Sequence, residues 1–249
     1  MIQLTIMKIT GYGPWTLTLG SDREHELQML QASLYQNIQE LFSKKKGLVF
    51  PNRSDEFFAV TNKISLDDHI EIQKELESKF EIKLAMSIGS AISPFDANVL
   101  ASNDKKSKKF LNEKYSIYGS MNGQVEQNVT IMHLDVDSLT EKRKMISPYE
   151  TSSLMFKLYS KMSDFFLQRS SLSFFMGGDN FMVISNSEHK ENAQEFINVI
   201  KREMDLILNC GIGSGSTARD AAKLATKSLD TIREIRDSGK EKPEVYELK

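Results

Sequence analysis

The sequence predicts an α+β chain made of two tandem βαββαβ units, each an antiparallel sheet backed by helices. Three observations predict it. Blocks of sequence recur at nearly one spacing along all 249 residues. Each copy opens on an alternating, β-rich run. Each then places a hairpin between two helical stretches.

The repeat is read from three collinear blocks. LTIMKIT (4–10) faces VTIMHLD (129–135), so Thr5, Ile6 and Met7 recur as Thr130, Ile131 and Met132 at an offset of 125. FPNRSDEFFAVTN (50–62) faces FFMGGDNFMVISN (174–186), where Phe50, Asp55, Phe57 and Asn62 recur as Phe174, Asp179, Phe181 and Asn186 at 124. SIGSAISPFDANVLAS (87–102) faces GIGSGSTARDAAKLAT (211–226), again at 124. A single-residue gap reconciles the two offsets. The glycine-rich stretch Gly119-Ser120-Met121-Asn122-Gly123 marks the seam. The expected domains are 1–122 and 123–249.

The elements follow in order. The first strand is Gln3 to Ile9, or Val129 to Leu134 in the second copy. A helix covers 22–43 or 148–168; in the first, Leu27, Leu30, Leu34 and Ile38 fall at helical spacing. The hairpin arms are Leu48–Phe50 and Phe57–Thr61, or Leu172–Met176 and Phe181–Ser185. A second helix covers 66–79 or 189–206, and Asp67-Asp68 suit the positive start of the first. A fourth strand lies at 82–88 or 207–213, and a last helix at 94–113 or 217–237. This order is the ferredoxin-like, or palm, arrangement.

Bulk properties narrow the class. Hydrophobic residues make up 40% and charged residues 27%, as in an ordinary globular protein. The net charge of -2 gives no overall basic field for nucleic acid. Cys210 is the one cysteine, so no disulfide framework exists and a reducing compartment is expected. The start MIQLTIMKIT lacks the pattern of a signal peptide, and no run of about 18 apolar residues spans a membrane. The expected location is the cytoplasm.

Two acidic sites stand in the second copy. Leu134-Asp135-Val136-Asp137 ends its first strand, and Gly177-Gly178-Asp179-Asn180 forms its hairpin turn. In a βαββαβ sheet these are central neighbours, which places Asp135 beside Asp179. Close carboxylates repel unless a cation lies between them, and hard oxygen ligands with phosphate favour Mg²⁺. Taken alone, GGDN also reads as a good hairpin turn. The first copy holds Asp55 at the Asp179 position and Thr10 at the Asp135 position, as divergence from a two-site ancestor would leave it.

Other residues carry two readings each. His133 lies two residues before Asp135 and reads either as a proton carrier or as a packed core histidine. Tyr12 and Trp15 could stack on a base or pack between the two copies. Cys210 reads as a small core residue. Gly211-Ile212-Gly213-Ser214-Gly215 is similar to a phosphate loop, but it lacks the P-loop lysine and reads better as a strand-to-helix bend. KKSKK (105–109) reads as a solvated helix face.

The pair LDVD…GGDN resembles the palm domains of nucleotidyl cyclases with GGDEF motifs. That resemblance implies metal ligation by Asp135, the Val136 carbonyl and Asp179. It implies phosphate binding by the Asp137-Ser138-Leu139 turn and by Arg233, while Gly177 and Gly178 would let the backbone approach a bulky ligand such as GTP. Asn180 departs from it, because a cyclase has a second acid there. A closer resemblance spans both copies. Tyr12-Gly13-Pro14-Trp15-Thr16, Gly47-Leu48-Val49-Phe50, FFMGGDNFM (174–182) and Ala225 through Arg233 resemble the GTP cyclohydrolase III family, archaeal-type duplicated palm proteins whose GGDN carries the same asparagine. This implies GTP binding that includes Asn180, and Mg²⁺, with room for a monovalent cation. It implies opening of the imidazole ring to 2-amino-5-formylamino-6-(5-phosphoribosylamino)pyrimidin-4(3H)-one with release of phosphate, for flavin and deazaflavin synthesis. A homo-oligomer, a tetramer, is implied as well. The rival readings are a palm-type cyclase or nucleotidyltransferase, which Asn180 opposes, and a non-enzymatic GTP-binding module, which the acid pair opposes. No residue for the C8 step follows from spacing. A zinc-activated water does not fit one cysteine and four scattered histidines.

Overall fold

A computed structural model describes residues 1–121, 128–137, 139 and 146–248. The chain divides into two compact units: Met1–Ile92 with Asp96–Gln127, and Ser93–Phe95 with Asn128–Lys249. The expected boundary at 122/123 lies outside the described residues, as do Asn122 and Gly123 of the seam.

In the first unit β1 (Ile2–Ile9) leads through a short helix α1 (Tyr12–Thr16) to α2 (Arg23–Lys44). The hairpin β2 (Leu48–Arg53) and β3 (Glu56–Val60) follows, then α3 (Leu66–Phe80) and β4 (Leu84–Ala91). Helix α4 (Pro94–Lys106) is shorter than expected, and β5 (Phe110–Asn112) and β6 (Ile117–Gly119) add to the sheet. Lys108 adopts a left-handed backbone, φ 53°, which helix geometry does not continue through. The sheet order is β2-β3-β1-β4-β6-β5.

The second unit repeats the plan. It runs β7 (Val129–Val136), α5 (Pro148–Leu167), β8 (Leu172–Gly177), β9 (Asn180–Ser185), α6 (His189–Met204), β10 (Leu208–Gly215) and α7 (Ala218–Asp237). An unexpected last strand, β11 (Val245–Leu248), pairs parallel to β10, giving the order β11-β10-β7-β9-β8. Ser65 with Asp68 and Ser147 with Glu150 close capping boxes at the starts of α3 and α5, which fixes where those helices begin.

The ladders correct the alignment of the two copies. Ala91 pairs with Ile2, and its counterpart Gly215, 124 residues on, pairs with Val129. Phe57 pairs with Met7, and its counterpart Phe181 pairs with Leu134. The first strands are therefore equivalent at 127, not 125. Lys8, not Thr10, occupies the place of Asp135; Thr10 matches Asp137, and Ile6 matches His133. The gap is three residues, and it falls between the first strand and the hairpin. A slip of two residues keeps every side chain on its own face, so alternation alone does not separate the two registers.

Strand β7 is apolar on one face. Met132, Leu134 and Val136 pack with Met155, Leu158 and Phe166 of α5 and with Phe196, Ile197 and Ile200 of α6 in one buried cluster. Its other face meets α7. There Gly211 and Gly213 let the helix lie against the sheet: a Cβ on Gly213 would stand 2.2 Å from the Ala225 nitrogen, and one on Gly211 2.2 Å from the Ala225 oxygen. Gly89 does the same in the first unit, 2.1 Å from the Ala97 oxygen. The glycine run is thus neither a phosphate loop nor a bend, but a stripe inside a strand for close helix approach. Among the described residues, no helix is long and apolar enough to cross a membrane.

Candidate active site

The alternation of β7 turns His133 and Asp135 toward α7. Asp135 is 5% exposed. Its Oδ2 accepts from Arg233 Nη2 at 2.6 Å and Nε at 3.2 Å, and its Oδ1 from Asn209 Nδ2 at 3.0 Å. Past the strand end, Asp137 holds Arg236 Nη1 at 2.8 Å and Lys242 Nζ at 3.2 Å. Lys242 also donates to Asn209 Oδ1 at 2.5 Å, which ties the two acids into one network. Burial pushes the Asp137 carboxyl up, but the hydrogen bonds from Arg236 and Lys242 outweigh it and hold the group below its usual range.

The β7–β9 ladder ends at Leu134↔Phe181, so Asp135 and Asn180 stand just past it on neighbouring strands. The turn before Asn180 uses positive φ at Gly177 (99°) and Gly178 (63°), a conformation side chains disfavour. The turn delivers Asp179 and Asn180 to the same end of the sheet as Asp135. Asp179 Oδ1 accepts from Asn180 Nδ2 at 3.0 Å, and Asn180 Oδ1 lies 3.1 Å from His133 Nε2. His133 Nδ1 lies 3.1 Å from Thr226 Oγ1. Burial pushes the His133 imidazole below its usual range, against the pull of Asn180 and of the Asp135 charge.

A cavity of about 320 Å³ opens on the α5 side of the hairpin. Leu139, Pro148, Thr151, Ser152, Met155, Phe156, Phe175, Gly178 and Asp179 line it. The Phe156 and Phe175 rings meet edge to face, 5.8 Å apart. Thr151 Oγ1 donates to the Ser147 carbonyl at 3.1 Å and Ser152 Oγ to the Pro148 carbonyl at 3.2 Å.

Several expected residues meet here: Asp135 with Arg233, His133 with Asn180, and Asn180 with Asp179. Val136 lies in the same strand, with its side chain in the core. In the Asp137-Ser138-Leu139 turn the Asp137 amide already donates to the Ile207 carbonyl at 2.8 Å. Ser138 lies outside the described residues, and Leu139 is buried at the cavity. Among the described residues no three His, Cys, Asp or Glu side chains converge as a metal cluster. Cys210 is buried in the core, and burial pushes its thiol up. Tyr12 packs on the first unit's own core and its hydroxyl accepts from Gln31 at 2.7 Å, so it serves packing. In the KKSKK run Lys105 is half-buried rather than solvated, and burial followed by the Lys8 charge pushes its ammonium down.

Sequence reasoning missed Asn209, Thr226, Arg236, Lys242 and the α5 and Phe175 walls of the cavity. Asn209 was findable: it is a polar residue in a buried strand, where the first copy has Ala85 at the same offset of 124. In the first unit the counterpart acids are held by lysine. Lys8 Nζ lies 3.6 Å from Asp55 and 3.9 Å from Glu56.

The fold defines a duplicated palm-type protein. The chain belongs to the GTP cyclohydrolase III family, whose model matches residues 1–245. GTP cyclohydrolase III of Methanothermobacter thermautotrophicus is 37% identical over 236 residues, covering 94% of this chain and 95% of that protein. The protein of that name from Methanocaldococcus jannaschii is 36% identical, covering 94% and 88%. Among solved structures, the active GGEEF domain of a diguanylate cyclase from Vibrio cholerae is a distant likeness: 14% identity, 43% of this chain, 78% of that chain, TM-score 0.37.

Proposed function

We propose that this chain is a Mg²⁺-dependent GTP cyclohydrolase that opens the imidazole ring of GTP in its second unit. The products are the formylamino-pyrimidine ribosyl phosphate and inorganic phosphate. The observation that carries the reading is the position of Asp179. It lines the cavity and immediately precedes Asn180, which stands beside Asp135 on the neighbouring strand.

The cavity suits a guanine ring. Phe156 and Phe175 offer aromatic walls. The protons of Thr151 and Ser152 are committed to backbone carbonyls, so toward the cavity these hydroxyls present lone pairs. Guanine brings N–H donors at N1 and N2, whereas adenine brings an acceptor at N1. Acceptor-only walls that include Asp179 therefore favour guanine. Rejection by an unmatched polar group is the strong form of specificity.

The triphosphate belongs to the cationic end. Arg233, Arg236 and Lys242 are each already turned toward Asp135 or Asp137. A guanidinium on a carboxylate can share its remaining donors with phosphate oxygens. Asp135, Asp179 and the Val136 carbonyl are hard oxygen donors and would hold Mg²⁺. Asp179 makes no ion pair among the described residues, which leaves its charge for a cation. Bound there, Mg²⁺ supplies charge neutralisation at the phosphoanhydrides. Arg233 steadies the charge that builds on the departing phosphate. The ring opens when water adds at C8 and the C8–N9 bond breaks, with N9 taking a proton.

The test is to incubate the chain with GTP and Mg²⁺, follow the purine ultraviolet band and identify products by mass. The reading requires loss of the purine band together with a formylamino-pyrimidine product and free phosphate. A cyclic or polymeric nucleotide, or unaltered GTP, contradicts it.

A further inference from the structure

The chain Thr226–His133–Asn180–Asp179 has a fixed direction. Asp179 is a carboxylate, so Asn180 must turn its NH₂ toward it, at 3.0 Å, and its carbonyl oxygen away. That oxygen only accepts, so His133 must donate from Nε2, at 3.1 Å. With one ring proton spent there, Nδ1 is left to accept from the Thr226 hydroxyl, at 3.1 Å. Each link has one allowed orientation, set by the next.

Among its described residues the first unit has no such chain. Ile6 stands at the place of His133, Glu56 at that of Asn180 and Ser102 at that of Thr226, by the register of the ladders and the offset of 124. Its aspartate, Asp55, is met instead by the Lys8 ammonium at 3.6 Å. Among the described residues, Asp179 of the second unit is met by a neutral donor, the Asn180 amide, and by no ion pair. This orients the carboxylate without cancelling its charge. An acid in place of Asn180 could accept from His133 but could not donate to Asp179, and it would repel it.

We propose that Thr226 and His133 are positioning residues that act through Asn180 to set the carboxylate of Asp179 for a divalent cation. The proposal rests on the reading of Asp135 and Asp179 as the cation site. It gives the asparagine of the GGDN turn a chemical reason: that position must accept on one side and donate on the other. Outer-sphere partners of metal ligands commonly tune affinity by about 10- to 100-fold.

The test measures Mg²⁺ affinity by calorimetry on the full chain with a non-hydrolysable GTP analogue. Thr226→Val removes only the hydroxyl donor and keeps the shape, and should weaken Mg²⁺ by about fivefold or more. Thr226→Ser should restore it to within about twofold. Asn180→Leu cuts the chain next to Asp179, so Thr226→Val added to Asn180→Leu should cause no further loss, as coupled residues require. Additive losses, or an unshifted Thr226→Val, overturn the proposal. Nitrogen-15 NMR of the unmodified chain gives a second reading that needs no variant: His133 should carry its proton on Nε2, and a proton on Nδ1 alone overturns the relay. Asp179→Asn separates the two levels. If it leaves Mg²⁺ binding intact, the cation site itself is misplaced. If it abolishes binding while Thr226→Val does nothing, only the relay fails.

Discussion

Lys8 and Asp135 occupy the same place on the first strands of the two units, as the ladders fix it. One is a cation and the other an acid. In the first unit the Lys8 ammonium sits near Asp55 and Glu56. In the second unit the equivalent positions are held by Asp135, Asp179 and Asn180. The first copy has a lysine at this place, and the second has an acid there that Arg233 of α7 meets at 2.6 Å.

The donor set predicts which metal matters. EDTA should stop turnover and added Mg²⁺ should restore it, while a zinc-selective chelator has no effect. The chain's four histidines are His25, His69, His133 and His189, and its one thiol is buried. A rate assay with each chelator checks this. Inhibition by the zinc chelator would reveal a soft site among the ligands.

Gly213 should tolerate no side chain. Its Cβ would meet backbone atoms of α7 at 2.2 and 2.4 Å, and backbone cannot rotate away. Gly213→Ala should cost about 3 kcal/mol or more. At Gly13 a Cβ meets nothing within 4 Å, so Gly13→Ala should stay within about 1 kcal/mol. Denaturant midpoints of the two variants test the packing role of the stripe. Equal small effects would return the glycine run to a loop role.

Stability should fall as acidity rises below neutral pH. His69 is fully buried, donates from Nδ1 to the Ser65 carbonyl at 2.7 Å and lies 2.8 Å from Thr5. Burial pushes its pKa down to about 4. Below about 6.5 the unfolded chain takes a proton that the folded chain refuses until about 4. The neutral His69 contribution is therefore full above 6.5 and is lost as pH falls toward 4. The effect is on the order of 3 kcal/mol. Thermal midpoints from pH 8 to 4 should slope less in His69→Gln than in the unmodified chain. Parallel slopes would assign the pH dependence elsewhere.

The sequence made the duplication legible because hairpins and glycine-packed helices leave residue-type marks at fixed positions. Phe57 and Phe181, or Gly89 and Gly213, must stay because nothing else fits. The first strand misled. Thr-Ile-Met recurs by type, and two registers two residues apart bury the same faces, so only the ladders could choose. Asp135, Asp179 and Arg233 were legible as motif residues. Thr226 and Lys242 were not, because only hydrogen bonds to residues far along the chain bring them to the site. β5, β6 and β11 are three or four residues long, too short for alternation to register.

The proposed cation site is single and lies in the second unit. The direct measurement is a Mg²⁺ titration of GTP turnover for Asp55→Asn and Asp135→Asn, side by side. Asp55 already faces Lys8, so Asp55→Asn should leave the half-saturating Mg²⁺ concentration nearly unchanged, even if stability falls a little. Asp135→Asn should raise it roughly tenfold or more, or abolish turnover. If the two variants raise it alike, the units share a composite site or both bind metal, and the single-site account is wrong.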